Sequence, residues 1–211
     1  MPAPAEQLDV HDWQALSVSE VTSVMHRIDV RWWIAGGWAI DLFLGRQTRP
    51  HGDIDVLVLR RDQLGVQRHL SEWRLYKTKQ PTPSKKAPWP KGEYLSRDTD
   101  IFDVWVKQEL GGPWRLQLML MESEADRWVF RRDERIGGPV NELGWHTSEG
   151  TPVLRPEVQL LYKGRLEGRR AKDDADFAAV LPHLTEAQRR WLGEALRLQF
   201  GDAHPWPARL T

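Results

Sequence analysis

A chain of 211 residues can bury a sizeable core, and its thirty basic and thirty acidic side chains cancel, which argues against a dedicated nucleic-acid binder resting on excess Lys and Arg. The absence of cysteine excludes disulfides, thiolate metal sites and a cysteine nucleophile. No apolar run approaches the roughly eighteen residues of a membrane span, and the opening "MPAPAEQLDVHDW" lacks the basic-then-apolar order of a signal peptide, so a cytoplasmic protein with no membrane partner is the expectation.

The first element is a helix over about residues 18 to 28, opened by a Ser17-x-x-Glu20 capping box and carrying Val21, Val24, Met25 and Ile28 at helical spacing. "VRWWIA" reads as a strand, and "WAIDLFLG" as a short helix after the glycine pair Gly36-Gly37, stopped by Gly45. "IDVLVL" is a second strand. Residues 62 to 74 place Leu64, Leu70 and Trp73 in a helical pattern.

Between Lys77 and Lys91 the sequence collects prolines and lysines, a loop composition, with Trp89 placed to stack on a base or a substrate ring. From Thr99 onward, "DIFDVWVK", "WRLQLMLM" and "DRWVFRRD" suggest an antiparallel meander. Helices follow, beginning at Pro156 in "RPEVQLLYKGR", continuing in "KDDADFAAVLPHL", and ending with a helix opened by a Thr185-x-x-Gln188 capping box. The change of character sets a boundary near residue 150, giving an N-terminal domain 1–150 and a helical domain 151–211.

The stretch "DID" carries the chemistry. In an extended strand Asp53 and Asp55 point to one face, with Cα atoms roughly 6.5 to 7 Å apart, and Ile54 to the other. Two neighbouring carboxylates repel unless a cation lies between them, and a hard oxygen-liganded ion such as Mg²⁺ suits them. In "DIFDVWV", strand parity puts Asp103 opposite an apolar face of Phe102, Val104 and Val106, although Asp100 and Asp98 are alternatives. On an adjacent strand, Asp103 would complete a set able to hold two Mg²⁺ ions about 3.5 to 4 Å apart, which clamp a phosphoryl displacement. Gly36 and Gly37, between strand and helix, allow backbone N–H groups close to an anion.

Taken in order, strand, Gly-Gly-Trp, helix, loop, Asp-Ile-Asp and strand resemble the signature of the DNA polymerase β-like nucleotidyltransferase superfamily. "GGWAIDLFLG", with Arg49-Pro50-His51 ahead of "DID", is most similar to the aminoglycoside and lincosamide nucleotidyltransferase (adenylyltransferase) group. The resemblance implies an α+β fold, a mixed twisted sheet flanked by helices and followed by a C-terminal helical bundle. It implies transfer of a nucleoside monophosphate from ATP or another NTP to a small-molecule hydroxyl, with Gly36 and Gly37 on the triphosphate, Asp53, Asp55 and Asp103 on Mg²⁺, and Asp103 as general base.

Among the other polar residues, Arg49 and Lys163 are candidate phosphate contacts, against readings as a charge partner and a solvated lysine. Asp41 divides between a solvated face and a supporting role, and "KDDAD" reads most simply as a charged helix start. An RNA or protein acceptor and a non-catalytic nucleotide-binding regulator are the competing functions.

Overall fold

The computed structural model describes residues 9–79 and 86–210; residues 80–85 of the lysine-rich stretch lie outside the described residues. In chain order the elements are α1 (Val18–Val24), β1 (Trp32–Ala35), α2 (Gly36–Leu44), β2 (Asp55–Leu59), α3 (Gln63–His69), β3 (Arg74–Lys79), β4 (Lys86–Pro88), β5 (Ile101–Lys107) and β6 (Leu116–Glu124). There follow β7 (Arg127–Val129), β8 (Gly137–Pro139), β9 (Gly144–His146), β10 (Pro152–Leu154), α4 (Pro156–Lys163), α5 (Ala171–Val180) and α6 (Glu186–Phe200). The fold is α+β with mixed strand pairing, as expected. Two compact units are each assembled from two chain segments: unit 1 from Met1–Trp32 and His51–Glu122, unit 2 from Trp33–Pro50 and Ser123–Thr211.

In unit 1 the strands run in the order β4-β3-β5-β6-β2, with β2 parallel to β6 and the other pairs antiparallel. Alternation sends Ile54, Val56, Val58, Val104, Val106 and Leu118 to one face, where all are completely buried. The sequence placed the two aspartate-bearing strands side by side. In the structure β6 lies between β2 and β5, because β6 pairs parallel with one and antiparallel with the other.

Two local readings also change. Lys77 to Lys79 belong to β3, and Lys86 to Pro88 form β4 against it, so the described parts of the lysine-rich stretch are largely strand. Trp89 is buried, its indole N–H donating to the Glu93 carbonyl at 2.8 Å, so it is not an exposed stacking platform. The tryptophans of unit 1 pack on one another: Trp105 meets Trp13 and Trp114 edge-on at 4.7 and 5.3 Å. Trp114 also donates to the Asp9 carbonyl, tying the N-terminal segment down.

The first helix is shorter than expected. Its Ser17–Glu20 capping box forms, but the helix stops at Val24 with Met25 as cap, and Arg27 takes a left-handed φ of 64°. Past α3, the apolar residues Leu70 and Trp73 lie outside the helix and lead into β3.

In unit 2, β1 pairs parallel with β10, which pairs antiparallel with β9, while β7 and β8 form an antiparallel pair. The helices start where expected: Pro156 stands in the first turn of α4, and Thr185 and Gln188 complete the α6 capping box. Phe177 stacks on Trp206 with centroids 4.3 Å apart.

Gly144 of β9 sits where a Cβ would lie 2.1 Å from Trp33 Cδ1 and 2.6 Å from the Val153 carbonyl oxygen. Gly144→Ala should destabilise the protein by about 1–3 kcal/mol through overpacking, read as a lower urea midpoint; an unchanged midpoint would contradict this packing. Glu157 is 5 % exposed, and its Oε2 accepts from Gln188 Nε2 at 2.9 Å. Burial raises its carboxyl above the usual range, against its own backbone N–H, Arg155 and Gln188. A raised carboxyl favours the protonated folded state, so this group's contribution falls as pH rises from the ordinary glutamate pKa through the folded one. Glu157→Gln should therefore be more stable than the parent at pH 7, with the difference closing near pH 4; parallel stability curves would refute it.

Candidate active site

Asp53 lies just before β2 and is exposed, Ile54 is fully buried, and Asp55 opens the strand half-buried. Ile54 is thus anchored inward between the two carboxylates, and Asp55 starts the strand on the face opposite Val56 and Val58. Asp55 is registered opposite Gln117 of β6, and Gln117 opposite Trp105 of β5. Asp103 stands one pleat away on the same face, opposite Met119. Directly paired residues share a face, so Asp55, Gln117, Trp105 and Asp103 all project to one side of the unit 1 sheet.

Asp55 and Asp103 belong to strands about two interstrand spacings apart, roughly 9.5 Å, twice the separation expected from the sequence. Gln117 fills the interval. Its Nε2 donates to Asp103 Oδ1 at 3.2 Å, and its backbone N–H donates to the Ile54 carbonyl at 2.9 Å, so one residue joins both aspartate segments. No chemical signal in the sequence marked Gln117, because only the strand order reveals its place.

Among the described residues no three carboxylate or imidazole side chains meet in an arrangement that alone could hold a metal. Mg²⁺ does not require that: it commonly takes one or two carboxylates and completes its shell with water and substrate phosphates. Asp53 and Asp55, two hard oxygen donors flanking a buried anchor, fit such a role.

The remaining candidates lie in unit 2. Gly36 begins α2 with φ 66°, a conformation that favours glycine, and its N–H donates to Gln159 Oε1 at 2.7 Å. The amide proposed from sequence as a phosphate donor is thereby held by a buried glutamine from α4. Gly37 follows it in the first turn of α2.

Arg49 and Lys163 converge on one carboxylate. Arg49 Nε and Nη2 each approach Asp176 at 3.3 Å, and Lys163 Nζ lies 2.7 Å from Asp176 Oδ2 and 3.5 Å from Asp173 Oδ1. Arg170 closes the chain with two bonds to Asp173, at 2.8 and 3.0 Å. Burial alone would raise the Asp173 carboxyl, but Arg170's hydrogen bonds and the charges of Lys163 and Arg170 outweigh it and hold it below the usual range.

"KDDAD" is therefore more than a charged helix start. Asp173, Asp176, Phe177 and Val180 are all buried, and their spacing of three, four and seven residues is the inward stripe of a helix. That periodicity was available in the sequence. Asp41 is likewise buried, and its Oδ1 accepts from the Thr48 backbone N–H at 3.1 Å and its hydroxyl at 2.6 Å. It secures the turn that presents Arg49. A separate cavity of about 360 Å³, walled by Trp128, Arg155, Glu157, Gln188 and Trp191, contains none of the anticipated site residues.

The fold is that of the nucleotidyltransferases. It is similar to the lincomycin-bound lincosamide antibiotic adenylyltransferase LnuA, with TM-score 0.51 and 17% identity over 77% of this chain and 93% of that one. It is also similar to the antibiotic-resistance factor ANT(2'')-Ia in solution, with TM-score 0.55 and 16% identity over 87% of this chain and 90% of that one. For ANT(2'')-Ia in complex with adenylyl-2''-tobramycin the values are 0.54 and 15%, over 87% and 98%. More particularly, residues 17–88 match the family model of aminoglycoside-2''-adenylyltransferase. No curated protein matches the chain.

The buried ion pairs of α4 and α5 give a direct test. Asp176→Asn, which leaves Lys163 and Arg49 without their shared charge partner, should lower stability by roughly 3 kcal/mol. Pairing it with Lys163→Met should cost less than the sum of the two single changes, because they remove one interaction. Strict additivity in denaturant unfolding would show that the residues are not coupled.

Proposed function

We propose that this protein transfers a nucleoside monophosphate from an NTP, with ATP the expected donor, to a hydroxyl of a small molecule. One observation carries the reading: Asp55 shares a sheet face with Asp103, and Asp53 precedes it across the buried Ile54, within a nucleotidyltransferase fold. The neighbours suggest the acceptor class, hydroxylated antibiotics such as aminoglycosides and lincosamides.

In this reading Asp103 accepts the proton of the acceptor hydroxyl, and the resulting oxygen forms a bond to the α-phosphorus as the bond from that phosphorus to the bridging oxygen breaks. Pyrophosphate departs with the bonding pair. Asp53 and Asp55 would hold Mg²⁺, with Asp103 as the third carboxylate of a two-ion site; when bound, the ions supply charge stabilisation for the displacement. Gln117 keeps Asp103 oriented through its amide.

Gly36, Gly37, Arg49 and Lys163 are assigned to the triphosphate. Gly36 serves by its backbone conformation, since its N–H is given to Gln159, and Gly37 offers an amide. Arg49, Lys163 and Arg170 around Asp173 and Asp176 leave a net positive charge suited to phosphate. The assignment includes a nucleotidyltransferase domain over 1–150, a helical domain over 151–211, and a cytoplasmic location; among the described residues no helix is long and apolar enough to cross a membrane.

Asp53→Asn and Asp55→Asn should each abolish Mg²⁺-dependent movement of label from α-labelled ATP onto an acceptor, while the circular dichroism melt stays cooperative. Retained transfer in both variants would overturn the assignment, as would movement of γ-label alone.

A further inference from the structure

The cavity of about 360 Å³ in unit 2 is walled by separate elements. Trp128 comes from β7, Glu142 from the turn before β9, Arg155 and Glu157 from the start of α4, and Gln188 and Trp191 from α6. Its volume falls in the range of small-molecule sites, and none of its walls is a residue assigned to nucleotidyl transfer.

The aromatic side of the cavity is a corner. Trp128 is buried and Trp191 half-buried, their ring centroids 6.0 Å apart and their planes inclined at 58°. Rings so close and so oblique admit no flat group between them, whereas an alkyl chain or an alkylammonium group packs well against angled indoles. Gly138 of β8 lies against the same corner, where a Cβ would come within 3.2 Å of Trp128 Nε1. The missing side chain keeps that wall clear.

Three charged residues share the lining: Arg155, Glu157 and Glu142. The Arg155 charge favours the ionised form of Glu157, yet among the described residues no ion pair joins them, and the Arg155 side chain makes no hydrogen bond there. Gln188 is fully committed. Its carbonyl accepts from the Thr185 backbone N–H at 2.9 Å and hydroxyl at 3.1 Å, and its amide donates to Glu157 Oε2 at 2.9 Å. It therefore orients Glu157 and is not itself free to hold a ligand.

Glu157 is unfavourable where it stands in the empty cavity, because burial pushes its carboxyl above the usual range. A glutamine would keep the shape without that penalty. An ammonium group beside the carboxylate would reverse the penalty, which is the behaviour of a binding group and not of a packing one.

We propose that this cavity binds a free basic α-amino acid, with Arg155 on its α-carboxylate, Glu157 on its α-ammonium, and the tryptophan corner and Glu142 on its cationic side chain. Two carboxylates and one guanidinium are the charge complement of two cationic groups and one carboxylate. A diamine would leave Arg155 facing like charge, and a neutral amino acid would leave Glu142 unmatched. The site goes beyond nucleotidyl transfer and does not depend on it.

The test is calorimetric titration of the full chain with L-lysine, L-arginine, L-norleucine and cadaverine, with the Trp191 indole resonance, assigned by Trp191→Phe, locating the site. L-Lysine or L-arginine should bind and shift that resonance. Norleucine, which lacks the side-chain cation, and cadaverine, which lacks the carboxylate, should bind at least about ten-fold more weakly. Glu157→Gln and Arg155→Gln should each weaken binding by about ten-fold or more, with Arg155→Lys recovering part of the loss. Glu157→Gln is expected to be the more stable protein at pH 7, so its loss of binding cannot be ascribed to unfolding. Asp55→Asn should bind as the parent does.

Binding that vanished in Asp55→Asn but persisted in Glu157→Gln would put the cation on the acidic sheet face of unit 1 and overturn the proposal. So would equal binding of norleucine and lysine, tighter binding of cadaverine than of either basic amino acid, or no binding of any of the four.

Discussion

The period of two in an extended strand is the constraint on which the candidate site depends. Ile54 is completely buried, and burying a side chain of that size is worth roughly 1.5–3 kcal/mol. With Val56 and Val58 also fixed inward, Asp55 has to face outward at the start of the strand, and a one-residue slip would drive it into the core. The same pairing then propagates through β6 to β5. Gln117 is the joint: its backbone holds the Ile54 carbonyl and its side chain holds Asp103. The apolar core of unit 1 therefore sets where the acids stand, without any contact between the acids themselves being required.

Unit 2 follows a different logic, in which buried charge organises helices. Asp176 draws in Arg49 from the loop after α2 and Lys163 from α4, while Asp173 engages Lys163 and Arg170. Buried ion pairs contribute little net stability relative to apolar packing of the same volume, but they tolerate few alternative arrangements. Their effect here is to fix the loop after α2 against α5 and to set the positions of cationic groups. Asp41 and Gln159 act similarly through neutral donors, on Thr48 and Gly36.

Much of this was legible in the sequence, for identifiable reasons. Both capping boxes, the glycine stop at Gly45 and the proline start of α4 are local features, and each formed. The parity of Asp53, Ile54 and Asp55 is likewise local. What could not be read was strand order: nothing in "DIFDVWV" indicates that another strand separates it from "IDVLVL", since that depends on the partner chosen by "LQLMLM". The lysine-rich stretch misled in the opposite direction. Its composition favours a loop, yet pairing with β3 and the burial of Trp89 override that preference at Lys86 to Pro88. Asp173 and Asp176 were overlooked because charge suggested solvent, although they fall on the same helical stripe as Phe177 and Val180.

The interleaving of the two compact units has a consequence for how the chain reaches this state. Unit 2 joins Trp33–Pro50 to Ser123–Thr211, with His51–Glu122 looped out between them. Contacts of such long sequence separation must close a large loop before they return any favourable energy, which slows folding relative to a protein of local contacts. During synthesis α2 emerges early, but the glutamine that receives its first amide is 123 residues downstream. The glycine-bearing turn is therefore a late structure in the life of each molecule, completed only after α4 has left the ribosome.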